Sequence, residues 1–283
     1  MVLGNVVFVL HRPSSAENLG AVARVLRNFG LSRLAVVEPP AWAGPPRDGL
    51  GATGREDALA RARRTARHAS GLLDSAGLHP DLASALAGTV WACGTTSRAV
   101  EGRRCLSPGE LAAELARRSA AGPVAVVLGE ERRGLSDAEL VRCAAVCGIP
   151  TDAAYDSMNL AQAAAVLAYE VALAAARGHS ADGRVADGRG SDGRGSDGRV
   201  AGATGPPPGP PARHETLEAL WRRLEAVLGA AGYLNPQNPG AVLAEWRALL
   251  ARAEPTQREV ELLVAAARAL ERALGLAGRG RDG

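Results

Sequence analysis

Four short stretches of the chain concentrate side chains that can do polar chemistry. "SSAENLGAVARVLRNFG", residues 14–30, places Asn18, Gly20, Arg24, Arg27 and Asn28 where a turn enters a helix. A helix that only covers a sheet has little use for so many donors on its early turns. "VAVVLGEERRGLS", residues 124–136, is an apolar strand running into Gly129 and Glu131, with Gly134 permitting a tight turn. "CGIPTDAAYDSMNLAQAAAVLAYE", residues 147–170, is a strand, a loop with Ile149, Ser157 and Asn159, and a helix of small residues. "VWACGTTSR", residues 90–98, is a further strand ending in Gly94 and Thr95. Singly, each is explained by glycines for turns and Ser or Asn for caps. Together, three strand ends bearing Gly, hydroxyl and amide groups suit a bent polar ligand held largely by backbone.

The elements that must position these groups follow from periodicity. Apolar runs at residues 6–10, 34–37, 89–93, 124–128 and 144–149 alternate with helical patterns near 18–29, 55–73, 110–118, 136–142 and 160–177. That alternation predicts an α/β fold, a mostly parallel sheet with helices on both faces, over residues 1–177. "SDAE", residues 136–139, is a capping box that starts its helix. Residues 178–213 read as a flexible linker: 181–200 are four copies of a five-residue Asp-Gly-Arg unit, followed by "GPPPGPP". Residues 214–283 predict a small all-α bundle of three amphipathic helices. Its stripes run through Leu217, Leu220, Trp221, Leu224 and Leu228, then Val242, Leu243 and Trp246, then Leu263, Ala267 and Leu270. Asn238 before Pro239, and "TQRE" at 256–259, mark two of the helix starts.

Composition removes several classes of function. No continuous apolar run reaches the roughly 18 residues of a membrane span, and the N-terminus has no basic region of a signal peptide, so a cytoplasmic location is expected. Cys93, Cys105, Cys143 and Cys147 fit that setting as reduced, buried thiols, and no second ligand pair accompanies Cys143 and Cys147 to make a zinc site. All 33 basic residues are Arg, which excludes a Lys Schiff base or P-loop chemistry. A net charge of +3 is too small to argue for nucleic acid alone, so a grip on RNA must come from local Arg clusters. "GLGATG", residues 49–54, spells a dinucleotide fingerprint, but "PPAWAGPPRD" before it cannot be the strand which that turn requires.

"NLGAVAR", "LGEERRGLS" and "IPTDAAYDSMNLAQAAAVLAYE" resemble the three motifs of the SpoU branch of the SPOUT methyltransferases, across residues 5–177. The segment from Leu220 to Leu274 resembles the helical C-terminal extension of the TrmJ group. The resemblance implies a deep C-terminal trefoil knot, which periodicity does not predict. It also implies homodimers that use S-adenosyl-L-methionine to methylate the ribose 2′-hydroxyl of the pyrimidine at nucleotide 32 in the tRNA anticodon loop, with no metal and no membrane. By the same resemblance Arg24 acts on the ribose hydroxyl, Asn18 shapes the site with it, and Glu131, Ser157 and Asn159 complete the catalytic set. Contacts to the methyl donor fall to Thr95, Thr96, Ser97, Gly129, Ile149, Asp156, Ser157 and Met158. Met158 stands where the family commonly has Leu, a volume-conserving change. The Asp-Gly-Arg repeat has no place in the family pattern.

Methyl transfer from a sulfonium is a direct displacement, so the protein must orient a reluctant hydroxyl and stabilise its charge. Asn18 and Arg24, six residues apart where a loop enters a helix, are expected to reach one oxygen together. A guanidinium does not readily lose its proton, so Arg24 is expected to stabilise the alkoxide while another group takes the proton. Two alternatives stay open: methylation of another RNA site, in ribosomal RNA or at the tRNA wobble position, and a non-catalytic RNA-binding relative.

Overall fold

Runs rich in Val and Leu make buried strands rather than amphipathic helices, and such runs form the middle of the sheet. The computed structural model describes residues 1–40, 52–98, 100, 102–152, 154, 156–182 and 209–276, and side chains at all of these but 52–55 and 178–182. The strands are β1 (Val6–His11), β2 (Arg33–Val37), β3 (Gly77–His79), β4 (Trp91–Thr95), β5 (Cys105–Leu106), β6 (Val124–Leu128) and β7 (Ala145–Cys147). They order as β3-β2-β1-β6-β4-β7-β5, and every ladder is parallel. The expected run at 89–93 shifts two residues onward, because Thr89 and Val90 belong to the turn entering β4. β3 and β5 carry no apolar run; as short edge strands they are free of the demand for burial on both faces.

Around the sheet lie α1 (Ala16–Asn28), α2 (Ala52–Ala66), α3 (Ser70–Asp74), α4 (Leu82–Leu86), α5 (Pro108–Arg118), α6 (Asp137–Leu140) and α7 (Leu160–Asp182). Alternate residues of β1 enter opposite cores, as a pleated strand requires. Val6, Phe8 and Leu10 pack with α1, α5 and α7, whereas Val7 and Val9 pack with α4 and α6. The helix expected over 55–73 is broken: Arg67 adopts φ +56° and a 3-10 turn separates α2 from α3. Gly20 marks the α1–α2 crossing, since a Cβ there would stand 2.1 Å from the carbonyl oxygen of Ala62. α7 is long and apolar enough over Leu160–Arg177 to cross a membrane by length and composition, although polar residues interrupt its apolar run. Its alanines supply that hydropathy, and Ala164, Leu167, Ala168 and Val171 bury one side of it in the core.

The C-terminal helices are α8 (His214–Ala230), α9 (Pro239–Ala253) and α10 (Gln257–Ala273). Leu220 on α8 meets Val260, Val264 and Ala267 on α10, with Ala212 beside them. The Thr256–Glu259 capping box forms as expected; Asn238 occupies the N-cap of α9, but its side chain makes no capping bond. α9 buries only Leu243 and is held chiefly by Arg247, which pairs with Glu218 at 2.6 Å and lies 4.9 Å over the ring of Trp221. The bundle docks at the amino ends of the strands. His214 donates its backbone N–H to the carbonyl of Thr89, Arg142 pairs with Glu218 at 2.6 Å, and Arg117 and Arg118 pair with Glu254. Residues 183–208, with the Asp-Gly-Arg repeat, and the first three residues of "GLGATG" lie outside the described residues.

Candidate active site

In a parallel α/β sheet the backbone groups beyond the carboxyl ends of the strands are free to hold a ligand. There, past Thr95 of β4, Leu128 of β6 and Cys147 of β7, opens a cavity of about 340 Å³. All eight residues expected to contact the methyl donor line it: Thr95, Thr96, Ser97, Gly129, Ile149, Asp156, Ser157 and Met158. Glu131 lines it as well, together with Leu128, Leu135, Leu160 and Ala163, which the sequence reading did not single out. The wall therefore combines aliphatic surface for a flat ring with hydroxyls and the carboxylates of Glu130, Glu131 and Asp156 for polar ends.

The loop after β6 fits that purpose because it is folded on itself. A Cβ on Gly129 would stand 2.2 Å from the backbone carbon of Gly134, so no other residue fits without opening the loop. Gly134 takes φ +67° and donates its N–H to the carbonyl of Glu130 at 2.9 Å. Backbone, not side chain, forms this part of the cradle. The capping box of Ser136 and Glu139 then turns the chain into α6, as expected.

Beside the cavity runs a chain of side-chain hydrogen bonds joining three distant segments. Asn159 donates from Nδ2 to Asn18 Oδ1 at 2.9 Å, and Asn18 donates from Nδ2 to Glu131 Oε1 at 3.0 Å. The backbone N–H of Ser14 donates to Glu131 Oε2 at 3.0 Å and that of Ser15 to Oε1 at 3.2 Å. Each asparagine is fixed from behind: Ser15 Oγ accepts the N–H of Asn18, and Asn159 Oδ1 accepts that of Ala161 at the start of α7. Partial burial would raise the Glu131 carboxyl, but the bonds donated by Asn18, Ser14 and Ser15 outweigh it and hold the group below the ordinary carboxylate range. Ser14 and Ser15 went unnoticed as site residues, although a Ser pair ahead of a helix signals free hydroxyl and N–H groups.

Arg24 stands apart from this cluster. Its side chain is exposed on α1 and, among the described residues, makes no hydrogen bond or ion pair. Asn18 and Arg24 share no hydrogen bond: the amide of Asn18 is bonded to Glu131 and Asn159, and the expected meeting of Asn18 and Arg24 at one oxygen would take place on a bound ribose. Six helical residues separate them by about 9 Å along the axis and about 120° around it.

Cys93, Cys143 and Cys147 are buried, whereas Cys105 is exposed on its edge strand, contrary to the expectation of four buried thiols. Burial pushes the thiols of Cys143 and Cys147 up to about 12, so neither is a nucleophile or a ready metal ligand. Among the described residues no group of three or more His, Cys, Asp or Glu side chains is placed to hold a metal ion.

Comparison with known proteins identifies the family. Residues 5–169 match the SpoU rRNA Methylase family, and residues 215–278 match the C-terminal domain of the tRNA methyltransferase TrmJ. The chain is 30% identical over 263 residues to the tRNA (cytidine/uridine-2'-O-)-methyltransferase TrmJ of Cronobacter sakazakii, covering 93% of this chain and 94% of that protein. It is 31% identical to the protein of the same name from Sodalis glossinidius, covering 93% and 89%. The crystal structure of TrmJ from Z. mobilis ZM4 superposes with a TM-score of 0.68 at 26% identity, over 94% of this chain and 98% of that one.

Proposed function

The chain belongs to the SpoU rRNA Methylase family, and from that premise we propose that it is a tRNA 2′-O-methyltransferase that uses S-adenosyl-L-methionine. We place its target at the ribose of the pyrimidine at nucleotide 32 in the anticodon loop. The relatives named above carry cytidine and uridine in their names, which supports a pyrimidine acceptor. The observation that carries the proposal is the hydrogen-bonded line from Asn159 through Asn18 to Glu131, set beside a cavity lined by all eight expected donor contacts.

The cavity fits the methyl donor on its own terms. Its volume lies within the usual range of ligand pockets, its aliphatic wall suits an adenine, and Asp156 and the hydroxyls suit the ribose and amino-acid ends. When bound, the cofactor supplies an electrophilic methyl on a sulfonium. The work left to the chain is orientation and charge. Asn18 and Asn159 are held rigid by their partners, so an acceptor ribose meets amides that need no reorganisation. Glu131 secures the loop of Ser14 and Ser15 rather than acting as a base, since its depressed pKa makes it a poor proton acceptor. Arg24, unpaired, has its full set of N–H donors available for a developing alkoxide, and the proton leaves to a phosphate or another group outside this set.

A homodimer, a cytoplasmic location and the family's trefoil knot belong to the same proposal, as does the division into a methyltransferase domain (1–177), a linker (178–213), whose first residues, 178–182, continue α7, and a helical extension (214–283). The exposed Tyr169 on α7, edge-on to Phe29 at 6.1 Å, offers an aromatic surface beside α1 for a second copy. The decisive experiment is mass-spectrometric mapping of ribose methylation in tRNA incubated with the enzyme and isotope-labelled S-adenosylmethionine. A labelled 2′-O-methyl pyrimidine at nucleotide 32 is expected. Label elsewhere would overturn the substrate while sparing the chemistry, and no label in any RNA would overturn both.

A further inference from the structure

We propose that Arg12 is a positioning residue of the methyl-transfer site: its guanidinium clamps the segment carrying Ser14, Ser15 and Asn18 to the hairpin carrying Gly129, Glu130 and Glu131. The inference rests on the function proposed above. Arg12 is the first residue beyond β1 and takes φ +53°, a left-handed conformation that a side-chain-bearing residue adopts only when its surroundings impose it. Its N–H is fixed to the carbonyl of Val37 at 2.9 Å, and its side chain crosses to α6. There Nη2 donates to Glu139 Oε1 at 2.6 Å, while Nε stands 3.9 Å from Glu130 Oε2.

These two carboxylates stand at the start of the hairpin and on the helix that follows it. Glu130 begins it, and its carbonyl accepts the N–H of Gly134. Glu139 lies beyond it on α6, where its second oxygen accepts the N–H of Ser136 at 2.7 Å and caps that helix. Glu131 lies between them and takes the bonds from Ser14, Ser15 and Asn18. A single attachment at Glu131 would let the hairpin pivot about that carboxylate; the second attachment through Arg12 fixes its orientation. The Nε of Arg12 is buried without a hydrogen-bond partner, although the side chain as a whole is 39% exposed, so it is the geometry of the two contacts rather than desolvation that carries the clamp.

His11 provides an internal reporter. It is 2% exposed, with Nδ1 3.5 Å from the same Glu139 oxygen that Arg12 occupies and Nε2 3.5 Å from Glu38. Burial is the main cause that holds the imidazole below its ordinary pKa; the Arg12 charge acts in the same direction, and Glu139, Glu38 and Glu130 oppose it. Replacing the guanidinium frees Glu139 for an imidazolium.

The test compares the wild type with Arg12→Gln, Arg12→Lys, Glu139→Gln and the Arg12→Gln/Glu139→Gln double variant. Gln at 139 keeps the oxygen that caps α6. Arg12→Gln should lower kcat about ten- to a hundredfold, with KM for tRNA and for S-adenosylmethionine each within about twofold. Arg12→Lys should recover part of that loss, retaining the charge without the planar fork. Glu139→Gln should cost a similar factor and the double variant no more than either, because one clamp is lost only once. The His11 titration followed by NMR should move upward in Arg12→Gln. Undiminished kcat in Arg12→Gln, additive losses in the double variant, or weakened cofactor binding that Lys does not restore would each overturn the proposal. A wild type that methylates RNA beside an equally active Arg12→Gln defeats this inference alone; a wild type that methylates nothing defeats the proposed function and this inference with it.

Discussion

At the amino ends of β4, β6 and β7, Glu114 accepts from Arg104, Arg117 and Arg118, and Glu218 accepts from Arg142 and Arg247. At the carboxyl ends of the same strands Glu131 is equally saturated, yet Arg24 on the neighbouring helix is left with no partner among the described residues. At Glu114 burial opposes ionisation, but three guanidinium partners prevail and bring the carboxyl down to about 2. The contrast separates two uses of charge. Where the C-terminal bundle docks, cation and anion are matched, and the result is a fixed register between two parts of the chain. At the other end Arg24, Arg27 and Arg132 make no side-chain hydrogen bond or ion pair among the described residues, and in the proposed mechanism Arg24 is the cation kept for a charge that exists only in the transition state. The bundle lies at the end of the sheet opposite the cavity, so under the proposed function any grip it provides on tRNA acts from that end.

The sharpest way to break this comparison is Arg24→Ala. Turnover should fall by at least about a thousandfold while the Kd for S-adenosylmethionine stays within about twofold, since only transition-state charge loses its partner. Undiminished turnover would leave the free guanidinium without a role. Gly129→Ala comes next: the added Cβ meets backbone that cannot yield, and calorimetry should show cofactor affinity reduced at least about tenfold. Neither change should disturb the docked bundle.

Glu218→Ala probes the other end. It strips Arg142 and Arg247 of their shared partner and should lower stability by about 2 kcal/mol in urea titrations, the groups being only partly buried. Turnover per folded molecule should hold within about twofold. The gentlest perturbation is pH. Burial pushes the His214 imidazole down to about 4, so it is neutral in the fold and charges more readily when unfolded. Its contribution to stability is full above about pH 6.5 and declines as pH falls toward 4, by no more than about 1.4 kcal/mol per pH unit. Urea midpoints across that range should lose this slope in His214→Gln.

Much of this architecture was legible in the sequence where neighbours decide the outcome. The Val-rich runs became β1, β2 and β6, and the boxes at Ser136 and Thr256 cap their helices. The eight expected donor contacts converge on one cavity, because Gly, hydroxyl and amide groups just past a strand sit at its carboxyl end wherever the strand itself lies. β3 and β5 were hidden, since edge strands need no apolar run. The break at Arg67 was hidden too, since a left-handed residue other than glycine leaves no mark in the helical period.

What only the tertiary structure decided are the partnerships across long separations. Asn18 meets Glu131 across 113 residues and Asn159 across 141, and Arg12 meets Glu139 across 127. The sequence by itself determined which segments become strand, helix and turn, and which polar groups stand at strand ends. It did so because caps, turns and hydrophobic period involve residues within a few positions of one another. Strand order and register then chose which polar group faces which, and that choice depends on the packing of the whole sheet rather than on any local stretch.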